Sequence, residues 1–198
     1  MSARGLVITL LIMLAAALGM SLYLWHLRTK ASVSNMAADV RPVAPPVSGP
    51  TEQATLYVAY DDPGMLRAQN ANIPLPAGRQ ERAEELLTTL LGLYLDKNSA
   101  HPLPAGAEIR DVYLIDPDLA VVDMNGALAD GHRSGVLVEE LTVASVVETL
   151  AANIPGISRV KILVDGKERD TLAGHVDLTG FLEVNSVNQM VGQLQAGQ

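Results

Sequence analysis

The stretch that most constrains this chain is residues 134–182, where a helical pattern, a strand and a tight reversal follow one another without a gap. Leu137, Leu141, Ala144, Val147, Ala151 and Ile154 recur at spacings of three and four, one stripe on a 3.6-residue helix. The stripe predicts a helix over residues 135–153, with Ser134 as its N-cap, Pro155 and Gly156 as its stop, and Glu139, Glu140 and Glu148 on the solvent side. Val160, Ile162 and Val164 then alternate with Arg159, Lys161 and Leu163, the period of two of a strand with one buried face. Asp165 and Gly166 favour a two-residue turn with positive φ at both positions, so the chain should reverse into a short partner strand over 167–172. A helix of this length cannot stand without a surface for its stripe. The rest of the chain must supply it.

Upstream, Leu56, Val58 and Tyr60 alternate with Thr55, Tyr57 and Ala59, a first strand closed by Asp61-Asp-Pro-Gly64. Residues 65–76 read as extended but irregular because Pro74 and Pro76 lie in them. A second amphipathic helix covers 78–96, with Ala83, Leu86, Leu87, Leu90, Leu91 and Tyr94 inward and Arg79, Glu81, Arg82 and Glu85 outward. Pro102, Pro104 and Gly106 make the next connection a loop. Residues 109–115 and 119–124 flank Asp116-Pro-Asp118 as a second antiparallel pair, apolar on both faces, so that the pattern leaves open which face packs inward. In the otherwise polar tail 185–198, Val187, Met190, Val191 and Leu194 stand at helical spacing. The order of elements predicts an α+β sandwich, a mainly antiparallel sheet with two helices packed on one face.

The N-terminal part is of another kind. Residues 5–27 contain no Asp, Glu, Lys or Arg. At 1.5 Å per residue, such a run is long enough to cross a hydrocarbon core of about 30 Å as a helix. Tyr23 and Trp25 lie at its far end, where amphipathic rings prefer the interface. A cleaved signal peptide wants a shorter core and a small-residue cleavage site, whereas Trp25-His-Leu-Arg28 follows here. The expectation is an uncleaved transmembrane anchor over 1–30, a Pro/Ala/Ser linker over 31–53 and one folded domain over 54–184. Arg4 on one side and Arg28 and Lys30 on the other leave the orientation unset by charge. The chain has no cysteine, which excludes a disulfide framework, a thiol nucleophile, cysteine-ligated metals and a lipoprotein anchor.

Nothing in the pattern assigns catalytic, cofactor-binding or metal-ligating residues. His26, His101, His132 and His175 include no pair four apart, the spacing that sets two imidazoles on one helical face for zinc. Asp123-x-Asn125-Gly126 opens like a calcium loop, but Ala127 and Ser134 occupy ligand positions that need oxygen donors and a bidentate carboxylate. Gly131-His-Arg-Ser134-Gly135 has the wrong frame for a nucleophile elbow. Glu84 and Glu85, like Glu139 and Glu140, are adjacent on helices and point apart. From Thr51 onward, ten Lys and Arg stand against 21 Asp and Glu, a net charge of −11 that disfavours nucleic acid and anionic lipid headgroups as partners. One Phe and one Trp leave no aromatic platform for sugars or bases.

Val160-Lys-Ile-Leu-Val-Asp-Gly-Lys167 and Thr171-Leu-Ala-Gly-His-Val-Asp-Leu-Thr-Gly180 resemble the C-terminal half of the GerMN domain, the GerM-type sporulation and spore-germination module of bacterial envelope proteins. Ala54-Thr-Leu-Tyr-Val58, Ile73-Pro-Leu-Pro76, Glu81-Arg-Ala-Glu-Glu-Leu-Leu87, Leu103-Pro-Ala-Gly-Ala107 and Leu119-Ala-Val-Val-Asp-Met124 extend the resemblance over residues 54–182. It implies a compact fold like the ring-building motifs of secretion systems. It also implies an extracytoplasmic setting for the C-terminal domain, which with the apolar span at 5–27 makes a single-pass inner-membrane protein, and a scaffold or interaction role with envelope protein partners or further copies of itself. No catalysis is implied. A cell-wall hydrolase and an extracytoplasmic sensor of small ligands are the alternatives, the latter calling for a polar-lined cavity between sheet and helices. On the scaffold reading, alanine at His101, Asp123, His132, Ser134 or His175 should cost little. Charge reversal at Glu81, Glu85, Glu139 or Glu148 should then weaken partner capture without unfolding the domain.

Overall fold

The computed structural model of the chain describes residues 50–196. The apolar span at 5–27 and nearly all of the linker lie outside the described residues. Among those described, no helix is long and apolar enough to cross a membrane. Strand β1 (Thr51–Tyr60) pairs antiparallel with β2 (Met65–Pro74), in register from Thr51 opposite Pro74 to Tyr60 opposite Met65. β2 is regular where the sequence suggested irregularity. Pro74 is its last residue and Pro76 lies beyond it, so neither interrupts the ladder.

Helix α1 (Arg79–Tyr94) buries the six residues that its spacing marks, Ala83, Leu86, Leu87, Leu90, Leu91 and Tyr94. β3 (Ile109–Ile115) and β4 (Leu119–Met124) form the expected antiparallel pair, and Val112, Ala120, Val122 and Met124 supply its buried side. Then come a short helix α2 (Gly126–Gly131), the long α3 (Val136–Asn153), β5 (Arg159–Val164), the two-residue β6 (Leu182–Glu183) and α4 (Val184–Ala196).

Two expectations are corrected here. The strands make two sheets, β1-β2 and a four-stranded sheet in the order β3-β4-β5-β6, and the central pair β4-β5 is parallel. The connection through α2 and α3 returns the chain to the starting end of the sheet, and a strand after such a crossover runs parallel to the one before it. Nor is α3 an amphipathic helix lying on one face. Every residue from 141 to 150 is buried, because α3 touches β1, β2, α1 and α4 at once. Glu139 and Glu148 are therefore inside, and Leu137, expected inside, is exposed.

The turn falls where it was read. Asp165 and Gly166 have φ of 52° and 72°, and Val164 and Lys167 exchange backbone bonds of 2.9 and 3.1 Å across it. The partner strand expected over 167–172 shrinks to that single bridge, since β4 and β6 already flank β5 and the chain beyond Lys167 departs into a loop. Replacing Gly166 by valine should cost about 1 kcal/mol or more in a denaturant titration, because a β-branched residue resists positive φ. Unchanged stability would mean that this turn does not need its glycine.

The two edges of the hairpin are treated differently. The N–H groups of Thr55, Tyr57 and Ala59 point away from β2 and donate to Asn153 Oδ1 (3.1 Å), Thr149 Oγ1 (2.9 Å) and Tyr94 Oη (2.8 Å). Asn153 Nδ2 donates back to the carbonyls of Thr55 and Thr149, each at 2.7 Å. Side chains of α1 and α3 thus stand in for a neighbouring strand along β1.

Candidate functional site

The polar centre of the domain is built on Thr142, at the start of the enclosed part of α3. Its Oγ1 lies 2.7 Å from Nε2 of His101 and 2.7 Å from Nε2 of His132, and 3.0 Å from the Val138 carbonyl. His101 arrives on the loop after α1, and its Nδ1 is 2.6 Å from Asp61 in the β1–β2 turn. His132 caps the C-terminus of α2, with Nδ1 2.7 Å from the Arg133 carbonyl. Arg133 closes the circuit by pairing with the other oxygen of Asp61. Tyr94 meets the His101 ring edge-on at 4.8 Å, and burial pushes its phenol up to about 12. Burial pulls His101 below the usual histidine range while Asp61 pulls it up. Burial also lowers His132, against the Arg133 carbonyl and the charge of Glu139.

A second buried group lies at the start of α3. The carboxylate of Glu139 accepts from the backbone N–H groups of Gly135 (3.1 Å), Ala173 (3.1 Å), His175 (3.0 Å) and Val176 (3.0 Å), and from His175 Nδ1 (2.8 Å). Burial alone would raise its pKa, but these donors outweigh burial and hold it at about 2. Ser134 is not the cap that was expected. Gly135 occupies the N-cap, and Glu139, four residues on, reaches back to accept from its N–H. Ser134, His175 and Glu139 are the residue types of a hydrolytic triad, but Ser134 Oγ (3.4 Å) and Glu139 Oε1 address the same ring nitrogen. A triad needs serine and acid on opposite nitrogens of the imidazole, so this arrangement relays no proton across the ring.

The remaining residues singled out from the sequence have local duties. Asn125 caps α2 by accepting from Leu128 N (3.0 Å) and ties Gly106 and Glu108 to the same point. Asp123 Oδ1 accepts from Gly166 N at 2.7 Å. These bonds account for the calcium-like pattern. Lys161, buried on β5, donates to the carbonyls of Leu178 (3.0 Å) and Thr179 (2.7 Å), and it pins the loop that its strand pattern gave no reason to expect. Glu148 is buried with Oε1 unpartnered, and burial raises its carboxyl above the usual range. Among the described residues no group of three His, Cys, Asp or Glu could hold a metal. Clefts of about 300 Å³ between α1 and β3 and about 220 Å³ between α3 and α4 are lined mainly by apolar side chains and include none of the histidines.

The fold and its self-contained polar centre define a small α+β domain that uses its buried charges as clamps. The family described as Germane, sporulation and spore germination, matches residues 55–170, and the chain belongs to it. Among solved structures, the chain is similar to the first GerMN domain of the sporulation protein GerM from Bacillus subtilis, at 21% identity and a TM-score of 0.50. That match covers 68% of this chain and 99% of the other. The tandem GerMN domains of the same protein match at 20% identity and a TM-score of 0.52, over 69% of this chain and 48% of theirs. At such identities the likeness concerns the fold. No curated protein matches the chain.

Proposed function

We propose that the chain is an extracytoplasmic interaction module of sporulation or germination, tethered to the cytoplasmic membrane through residues 5–27, which holds a protein partner by strand addition along β2. The observation that carries this reading is the open edge of β2. The register that sends the N–H groups of Thr55 and Tyr57 away from β2 also sends those of Asn70 and Ala68 away from β1. Together with Asn72, these outward groups are exposed and have no hydrogen-bond partner among the described residues. The strand is ten residues long, against the usual five or so, and Arg67 is its only charge. The exposed edge from Ala68 to Asn72 is a template for a short incoming strand. The reactive side chains, by contrast, are committed to one another inside the domain, which favours a binding surface over an enzyme site.

The test is crosslinking of the full chain in its native membranes, beside an Asn70→Pro variant. Proline at an outward position removes one donor and leaves the β1–β2 ladder intact. We expect a crosslinked partner with the wild type, and its loss in a variant whose circular dichroism is unchanged. A folded variant that keeps the same crosslink would place the surface elsewhere, and a wild type that crosslinks to nothing would end the interaction reading.

A further inference from the structure

The four-stranded sheet has a second face that the core does not use. Val112, Val122 and Ile162 point inward and are buried. The residues between them point the other way, and the register sets Tyr113 beside Val121 and Ile115 beside Leu119, with Leu163 one strand further on. Tyr113 is 47% exposed, Ile115 50% and, at the rim under the Arg159 guanidinium, Phe181 54%. Leu119, Val121 and Leu163 are only partly covered and do not join the core. A solvated sheet face is normally polar, whereas a parallel pair such as β4–β5, apolar on both sides, is normally covered on both. A contiguous apolar patch left bare on a small domain marks a contact surface.

We infer that this outer face, apart from the β2 edge, seats a basic amphipathic helix of a partner protein, its apolar stripe on Tyr113, Ile115, Leu119 and Val121 and its cations toward Asp111 and Glu183. Charge selects the occupant. The cations at the face are already held within the domain, Arg159 by Asp118 at 2.8 Å, Arg110 by Asp165 at 3.2 Å, and Lys161 by Glu168 at 3.2 Å and the carbonyls of Leu178 and Thr179. Asp111 and Glu183 form no salt bridge among the described residues. Asp111 lies against the phenol of Tyr113, and Glu183 adds a weaker influence on Arg159, which Asp118 already holds. A second copy of the chain would bring the same acids and no free cation to meet them, and anionic headgroups would be repelled likewise. Asp111 lies in the row of Asp123 and Leu163, and Glu183 in the row of Ile115, Leu119 and Arg159, so the two acids mark opposite corners of the face. Strand rise and spacing put them roughly 20 Å apart, the length of about thirteen helical residues. A helix laid there would complete the layering, with helices on both sides of the sheet.

The experiment replaces Tyr113 by the photocrosslinker p-benzoylphenylalanine in the full chain, irradiates native membranes and sequences the attached peptide by mass spectrometry. We expect an adduct to a segment of another protein with apolar residues three and four apart and Lys or Arg near both ends of about four helical turns. Adding Asp111→Lys and Glu183→Lys should lower the yield about fivefold or more, the worth of two exposed ion pairs. Adding Asn70→Pro, which alters only the β2 edge, should leave the yield as it was. Attachment to a second copy, to residues 31–49 of the same chain, to lipid or to a segment without cations would overturn the inference, as would the absence of any adduct. Undiminished yield in the doubly reversed protein would overturn it too. Should that protein misfold by circular dichroism, irradiation of the Tyr113 variant at rising salt tests the same charges, and a yield that does not fall would overturn the inference.

Discussion

Replacing Glu139 by glutamine is expected to lower the unfolding free energy by about 3 to 5 kcal/mol, the range seen when one member of a buried, fully bonded charged group is removed. The carboxylate accepts from four backbone N–H groups and one imidazole, and it is wholly shielded from water. Glutamine keeps the shape but turns an NH₂ toward donors that need an acceptor, leaving buried N–H groups unmet. The same site carries an acid dependence whose sign can be worked out. The folded carboxyl sits at about 2 against an ordinary 4.5, so its contribution is complete above pH 4.5 and is lost as pH falls toward 2. That shift corresponds to about 3 kcal/mol. Urea titrations from neutral to acid pH should show this loss in the wild type and its absence in Glu139→Gln; a difference under about 1 kcal/mol at neutral pH would mean that the cluster is not the clamp its geometry describes. Charge reversal here would unfold the domain, and Glu148, buried as well, cannot serve as a surface probe either. Glu81 remains an exposed one.

Asn153→Ala should follow, at about 2 to 3 kcal/mol, with a rise in light scattering on concentration. The substitution removes the acceptor for Thr55 N and the donor to the Thr55 and Thr149 carbonyls. A half-buried backbone N–H left without a partner costs about 1 to 3 kcal/mol by itself. It also uncovers the Thr55 end of β1, while Thr149 and Tyr94 still close the rest. Thr149→Val, which loses the bond to Tyr57 N, is the smaller comparison. If both variants match the wild type in denaturation midpoint and stay monodisperse, the helix does not close the edge in solution.

Local pattern was enough for α1, whose six buried residues all sit on the stripe read from the sequence, and for the turn at Asp165 and Gly166, whose type depends on two adjacent residues. It failed for α3, where Thr142, Ser145 and Thr149 look like the polar face of an amphipathic helix. They are buried, because their oxygens bond to backbone or to other side chains. Periodicity separates apolar from polar, and a polar side chain whose partner lies far along the chain reads as solvent-facing. The parallel pairing of β4 and β5 was hidden for a related reason, since it depends on the crossover and not on either strand. In the polar centre, His101 and His132 were weighed as metal ligands and set aside, with no signal that Thr142 would bring them together. Ser134 looked like a cap because serine usually caps; the readable clue was Gly135, whose bare N–H needs an acceptor and finds one four residues on.

The closure of β1 by α3 has a consequence in time. Thr55 and Asn153 lie 98 positions apart, so a ribosome adding about 5 to 20 residues per second releases the strand some 5 to 20 s before the side chain that completes it. Throughout that interval the newborn hairpin carries two unfinished borders, and whatever shields it must come from outside the chain. Once α3 emerges, the later half of the polypeptide takes over as guardian of the earlier half.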